Sequence, residues 1–375
     1  MIAVRSFAKI NLGLKIGRLR PDGFHELRTV YQTIALHDVV RVDVQPGSGI
    51  EIRCDDPRVP LDTSNTCYKV AGRVLRALSP DIRRLQGEIP RGLKPARTEE
   101  NQGLDGAAEA APLPSKVVIQ IDKQLPVKGG LGAASSNAIA TMLGLERALG
   151  VRLAGEEKLR IAADVGSDLP LFLIGGTVLG SGRGEVVSSL PDVPPTHLVV
   201  VTPPTGVSTP AAFAHWDEML ARGSKLTGSD PAGTINEPGQ GVFARLSEIT
   251  FSQVVSASEP ASGVPAIGGD RAETPLLDLV RAGIENDFER VVFPEYPELR
   301  EVKRLLECEG ARYASLSGSG STLYGVFDSD AKAQAVTARM TAAGHAAVAT
   351  TTLTRDEYWK QMFAVQDAER LKADG

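Results

Sequence analysis

Four short segments carry residue types suited to phosphate chemistry. The first is Pro126-Val127-Lys128-Gly129-Gly130-Leu131-Gly132-Ala133-Ala134-Ser135-Ser136. Its glycines let the backbone approach an anion closely. It runs into an Ala/Leu/Met-rich stretch, so it ends at a helix N-terminus whose free N–H groups and dipole favour negative charge. Ser135 and Ser136 add hydroxyls able to hydrogen-bond phosphate or ligate Mg²⁺. The segment spells neither Gly-x-x-x-x-Gly-Lys-[Ser/Thr] nor Gly-x-Gly-x-x-Gly. Taken alone it fits two readings, a phosphate cradle or a tight turn closing a helix on a sheet. The second segment holds Lys9 and Asn11 on the polar face of an otherwise apolar strand. The pair either enters a cleft or faces solvent. The third is Val165-Gly166-Ser167-Asp168-Leu169-Pro170, where the Asp168 carboxylate either orients and deprotonates a hydroxyl or caps the next turn. The fourth, Leu316-Ser317-Gly318-Ser319-Gly320-Ser321-Thr322, interleaves glycine with small hydroxyl residues. It reads as a wall closing on a nucleotide or as a plain hairpin.

These segments need rigid elements around them. Residues 7–16 alternate as a strand, with Ile10, Leu12 and Leu14 on one face and Lys9, Asn11 and Gly13 on the other. Pro21-Asp22-Gly23 supplies a turn, and a second strand is expected over about 28–45. Residues 116–122 read as a strand leading into the glycine loop, and 135–149 as an amphipathic helix capped by serine. A helix over 156–165 stops at Gly166 and Pro170. Further on come a strand at 198–202, helices near 276–284 and 297–309, a strand–glycine turn–strand at 312–327, a helix at 330–343 and a last strand at 345–353. This mixed order predicts an α+β fold. Two stretches of low apolar density, about 85–115 and about 222–275, read as surface insertions.

The bulk properties exclude several classes. A chain of 375 residues predicts two domains. A net charge of −5 and pI near 5.7 argue against a nucleic-acid or anionic-membrane partner. No apolar run reaches the roughly eighteen residues of a membrane span, and the N-terminus lacks a signal-peptide core, so a cytoplasmic protein is expected. The three cysteines (Cys54, Cys67, Cys308) and five histidines have no metal spacing.

In this order the four segments resemble those of the GHMP small-molecule kinases. The N-terminal residues narrow the resemblance. Ala8-Lys9-Ile10-Asn11-Leu12-Gly13-Leu14 followed by Arg20-Pro21-Asp22-Gly23-Phe24-His25-Glu26-Leu27 is similar to the branch acting on 4-diphosphocytidyl-2-C-methyl-D-erythritol. Gly166-Ser167-Asp168-Leu169-Pro170, Val207-Ser208-Thr209-Pro210 and Asn286-Asp287-Phe288-Glu289 match later segments of that branch. The resemblance implies a two-domain fold: residues 1–190 like ribosomal protein S5 domain 2, and residues 191–375 ferredoxin-like, with the site between them. It implies that ATP, with Mg²⁺, phosphorylates the 2-hydroxyl of that small molecule in non-mevalonate isoprenoid biosynthesis. Lys9 and Asp168 take the catalytic positions, and residues 126–136 bind the ATP phosphates. Asn65 and Lys123 fall near the base or ribose of ATP. Asn11, Phe24, His25 and Phe213 take the substrate: Phe24 and His25 hold its cytosine, Phe213 is a second aromatic stacking on it, and Asn11 falls near the reacting hydroxyl. Phe24 stands where many relatives have tyrosine, and Lys128, Ala133 and Ala134 where several have glycine. The alternatives are another GHMP kinase, which Phe24-His25 disfavours because its substrates carry no cytosine, or a catalytically silent nucleotide binder, which the retained Lys9 and Asp168 disfavour. Oligomeric state is not legible.

Overall fold

The computed structural model describes residues 1–85, 115–127, 129–227 and 285–363. Lys128, the helix expected at 276–284 and nearly all of the two expected insertions lie outside these residues.

The first sheet is built on its two longest strands, β1 (Ile2–Leu19) and β2 (His25–Pro46), joined through the Pro21-Asp22-Gly23 turn. The remaining strands are β3 (Ile50–Arg53), β4 (Ser115–Asp122), β5 (Thr177–Ser181) and β6 (Val186–Ser189), giving the order β3-β4-β2-β5-β6 with β1 on β2. Only β3 and β4 run parallel. Strand β2 takes β1 along one edge; on the other it pairs with β4 through residues 39–46 and with β5 through 29–32. Helices α1 (Thr66–Leu85), α2 (Ala133–Leu149) and α3 (Gly155–Val165) cover one face, enclosing Val4, Val40, Val42, Val74, Ile119, Met142 and Leu145. Helix α2 lies close because Gly144 has no side chain: a Cβ there would sit 2.7 Å from Val42 Cγ2.

The second sheet is antiparallel, with β7 (His197–Val201), β8 (Tyr313–Leu316), β9 (Leu323–Phe327) and β10 (Ala347–Thr351) in the order β10-β7-β9-β8. That order, with α4 (Thr209–Thr227), α5 (Glu289–Glu295) and α6 (Pro297–Cys308) between β7 and β8, and α7 (Asp330–Ala342) between β9 and β10, is the split βαβ arrangement of ferredoxin-like domains. Residues 222–227 thus end a helix, where the sequence reading began an insertion. The two sheets share a core: Ile10, Leu12, Val30 and Ile34 of the first pack with Leu198, Val200, Tyr324 and Val326 of the second. Helix α8 (Arg355–Met362) returns to the first sheet, burying Tyr358 and Met362 in its core.

Two local expectations are corrected. Helix α2 is not capped by serine. It starts at Ala133 behind Gly132, whose φ of 70° lies in the left-handed region, so Ser135 and Ser136 fall inside the first turn. The alternation of β1 is also interrupted. Asn11 pairs with Tyr31 and Gly13 with Val30, so Leu12 is the extra residue of a bulge. Beyond it the faces exchange. Ile10 and Leu12 stay in the core between the sheets, and Leu14 turns to the cleft side with Lys9 and Asn11, while Gly13 leaves it.

Candidate active site

Lys9 and Asp168 meet in the cleft between the two sheets. Lys9 is brought by β1 and is only 3% exposed. Asp168 follows α3, just before the 3₁₀ turn Pro170–Leu173. Lys9 Nζ lies 3.4 Å from Asp168 Oδ2 and donates to Asn11 Oδ1 at 2.7 Å. Asn11 Nδ2 donates in turn to Thr29 Oγ1 at 2.7 Å, and Thr29 Oγ1 to the Gly13 carbonyl, also at 2.7 Å. The chain of bonds fixes the lysine head and engages both ends of the Asn11 amide. The Tyr31 hydroxyl donates to Asp168 Oδ1 at 3.1 Å. Burial, reinforced by the Asp168 charge, pushes the Tyr31 phenol well above its ordinary value, so it acts as a fixed donor.

The glycine loop lies beside this pair. The Lys9 backbone N–H donates to the Leu131 carbonyl at 2.9 Å, and a Cβ on Gly132 would sit 3.0 Å from both Lys9 Cγ and Phe172 Cζ. The loop's other side is braced by residues 317–322: Ser317 Oγ donates to the Gly130 carbonyl at 3.0 Å, and Thr322 N–H to the Gly129 carbonyl at 3.1 Å. Asn286 Nδ2 donates to the carbonyls of Leu316 at 2.8 Å and Gly318 at 2.7 Å, shaping the brace. A Cβ on Gly318 would lie 3.6 Å from Lys9 Nζ, so the fourth segment closes over the lysine.

Two cavities meet at Gly130 and Gly132, which line both. The smaller, about 370 Å³, is walled by Val59, Pro60, Cys67, Ile121, Pro126, Val127, Gly129, Leu131 and Ala133 to Ser135. Ser136 does not line it; the Ser6 hydroxyl donates to Ser136 Oγ at 2.7 Å on the buried side of α2. Asn65 and Lys123 are on its wall with their polar atoms already bonded. Asn65 Oδ1 accepts the Cys67 N–H at 2.8 Å, capping α1, and its Nδ2 donates to the Pro60 carbonyl at 2.6 Å. Lys123 Nζ donates to Asp38 at 2.6 Å. Asp38 is fully buried and also accepts from the Gln124 and Leu125 N–H groups, both at 2.7 Å, and from Asn137 Nδ2 at 3.0 Å. It pins the chain entering the glycine loop.

The larger cavity, about 670 Å³, runs from Lys9, Asn11, Tyr31 and Asp168 to Phe24, His25 and Phe213. That size suits a small-molecule ligand. Phe213, on α4, stacks on the His25 ring at 5.2 Å and 3°, and meets Phe288 edge-on at 5.0 Å. His25 Nδ1 donates to the Gly17 carbonyl at 3.0 Å, since a carbonyl only accepts, and Nε2 lies 3.1 Å from Asp217 Oδ1. Phe24 is 52% exposed, with the Arg183 guanidinium 5.0 Å over its ring. The two aromatics therefore line one cavity without facing each other as a preformed sandwich.

The residues expected from sequence thus converge, except Ser136, which faces away, and Lys128, which lies outside the described residues. Tyr31, Arg183, Asp217 and Asp38 were not singled out. Only Arg183 carries a local signal, a long cation between two glycines, Gly182-Arg183-Gly184; the others acquire partners through distant parts of the chain.

Comparison with known proteins agrees with this fold. The chain matches the GHMP kinases N terminal domain over residues 102–176 and the GHMP kinases C terminal region over residues 273–346. It is 31% identical over 328 residues to a 4-diphosphocytidyl-2-C-methyl-D-erythritol kinase of Acaryochloris marina, covering 87% of each chain. It is 32% identical over 324 residues to that of Solibacter usitatus, covering 86% of this chain and 80% of the relative. A crystal structure of a 4-(cytidine 5'-diphospho)-2C-methyl-D-erythritol kinase superposes with a TM-score of 0.62 at 23% identity, covering 94% of this chain and 99% of that one. The fold is shared.

Proposed function

The chain belongs to the 4-diphosphocytidyl-2-C-methyl-D-erythritol kinase family, and on that premise we propose that it transfers the γ-phosphoryl group of ATP to the 2-hydroxyl of 4-diphosphocytidyl-2-C-methyl-D-erythritol. The observation that carries the reading is the Lys9–Asp168 pair, 3.4 Å apart on the wall of the larger cavity, with Lys9 packed against Gly132 where the two cavities meet. Phosphoryl transfer asks the protein for alignment and charge compensation more than for covalent chemistry.

In this reading the smaller cavity takes the nucleotide, its apolar wall of Val59, Pro60, Ile121 and Val127 against the base. The phosphates lie over the first turn of α2, where Gly132 offers no side-chain acceptor and the N–H groups stay open to an anion. The half-buried Ser135 hydroxyl on the wall is a hard oxygen donor that, with the ATP phosphate oxygens, would hold Mg²⁺, which would offset phosphate charge there. Asn65 and Lys123 act through position, by capping α1 and by pinning the strand end through Asp38. The larger cavity takes the alcohol substrate, with methylerythritol at Lys9 and cytosine at Phe24, His25 and Phe213. Asp168 receives the 2-hydroxyl proton or fixes its direction, with Oδ1 held by Tyr31. Lys9 compensates charge on the attacking oxygen. Asn11 sets the lysine head.

The test is ADP release measured with the cytidyl substrate beside mevalonate, homoserine and galactose. Turnover with the cytidyl substrate alone is expected; turnover only with another alcohol defeats the substrate assignment. Asp168→Asn should fold normally and lose roughly 10²- to 10⁴-fold in kcat. Full activity in that variant removes Asp168 from the chemistry.

A further inference from the structure

Lys9 and Arg183 are the two lysine or arginine side chains on the described wall of the larger cavity, and the proposed transfer uses only Lys9. Arg183 sits at the tip of the β5–β6 hairpin, and both ends of the cavity hold that tip. At the aromatic end, the Leu27 N–H donates to the Gly182 carbonyl at 2.6 Å and the Gly182 N–H to Glu26 Oε1 at 3.1 Å, next to Phe24 and His25. At the reacting end, a Cβ on Gly184 would lie 2.6 Å from the Tyr31 hydroxyl that bonds Asp168, and 3.9 Å from Ser167 Cβ. Arg183 is thereby fixed between the two ends, its guanidinium 5.0 Å over the Phe24 ring. Glu185 holds the tip from below: Oε2 accepts the Arg183 backbone N–H at 2.6 Å, and Oε1 lies 3.4 Å from Nε. Asp22 also feels the Arg183 charge. The two terminal Nη nitrogens make no hydrogen bond among the described residues.

A cytidyl-diphosphate alcohol bound with its base at Phe24 and its hydroxyl at Asp168 must lay its diphosphate between those points. That group carries about two negative charges, and the guanidinium fork matches paired phosphate oxygens. We infer that Arg183 binds the diphosphate of the substrate, an assignment that rests on the proposed substrate and accounts for how one cavity spans base and alcohol. Stacking on Phe24 keeps the fork oriented before the ligand arrives.

The experiment is calorimetric titration of the full chain with cytidine 5'-diphosphate and with cytidine, the nucleotide site being saturated with a non-hydrolysable ATP analogue. Wild type should bind the diphosphate roughly 10- to 100-fold more tightly than cytidine, the gain of charge-assisted hydrogen bonds to phosphate. Arg183→Gln should bring that ratio close to one with cytidine affinity unchanged, and Arg183→Lys should restore part of it. A ratio kept in Arg183→Gln overturns the assignment. So does an equal loss for both ligands, which would make Arg183 merely the platform for Phe24. A wild-type chain binding neither ligand defeats the substrate reading itself, and the assignment with it.

Discussion

The contact between the glycine loop and the 317–322 brace can be tested with one methyl group. Gly130 has φ of 81°, in the left-handed region, and a Cβ there would overlap the Ser317 carbonyl oxygen and lie 3.2 Å from the Gly320 carbonyl oxygen. Gly130→Ala therefore carries two costs. The left-handed conformation costs an L residue about 1–2 kcal/mol. Relieving the overlap means moving backbone on one side or the other, about 1–3 kcal/mol for an overpacked site. Gly150, just past the end of α2, separates the two costs: its φ is 68° and nothing lies within 4 Å of an added Cβ. Gly150→Ala should lose only the first cost and keep full activity. Gly130→Ala should lose about 2–5 kcal/mol in all. Because the loop must part from Ser317 by close to an ångström, the proposed phosphate cradle shifts relative to Lys9, and kcat should fall on the order of 10²-fold. Urea unfolding gives the stabilities and coupled ADP release the rates. A Gly130→Ala enzyme as active as wild type, or no less stable than Gly150→Ala, would falsify the bracing argument.

Two further predictions concern stability. Asp38→Ala removes a fully buried carboxylate and leaves the Lys123 ammonium and the Gln124 and Leu125 N–H groups without their acceptor, so it should destabilise by about 3–5 kcal/mol; an unfolding midpoint close to wild type refutes Asp38 as the pin of the loop. Burial raises the phenols of Tyr31, Tyr324 and Tyr358 in the folded state, whereas in the unfolded chain they ionise near the ordinary value of about 10. Their folded pKa lies above the unfolded one, so their contribution is intact below about pH 10 and is lost as pH rises beyond it. The melting temperature should fall steeply above that pH while native phenolate absorbance lags behind that of the denatured chain. Full tyrosine ionisation in the folded protein at about pH 11 contradicts the burial of these hydroxyls.

What could be read from sequence was what is local in sequence. Lys9 and Asn11 two residues apart, the glycine run before an apolar helix and Asp168 before Pro170 are contiguous patterns, and each lands in the cleft. The partners that make them a site are not contiguous. Tyr31 reaches Asp168 across 137 positions, and Asp38 meets Lys123 across 85. Gly132 was masked as a cap because serine is the commoner helix start and nothing in composition reports a positive φ. Helix α1, capped by Asn65, is tethered to the loop by the Thr66 hydroxyl, which donates to the Ala134 carbonyl at 2.9 Å. Helix α8 is short, and its Tyr358 finds a place only once the Phe172 carbonyl, 2.7 Å away, is there to accept its hydroxyl.

The bulge at Leu12 is the least legible of these features and the one on which the lysine depends. Ile10, Leu12 and Leu14 alternate faultlessly, so the pattern itself predicts an unbroken strand. In an unbroken strand Leu14 would join Ile10 and Leu12 between the sheets, and Gly13 would face the cleft. With the extra residue, Leu14 pairs with Thr29 and enters the cleft wall, and the Gly13 carbonyl comes within 2.7 Å of the Thr29 hydroxyl. That carbonyl is the last acceptor in the series Lys9 to Asn11 to Thr29 to Gly13. It obliges the threonine to donate to Gly13 and accept from Asn11 Nδ2, which turns Asn11 Oδ1 toward the ammonium. The register shift thus sets the amide's orientation and, through it, the position of a charge buried to 3% exposure. A lysine held in this way reaches its place before any substrate binds, so in the proposed transfer the reorganisation that would otherwise add to the barrier is completed during folding.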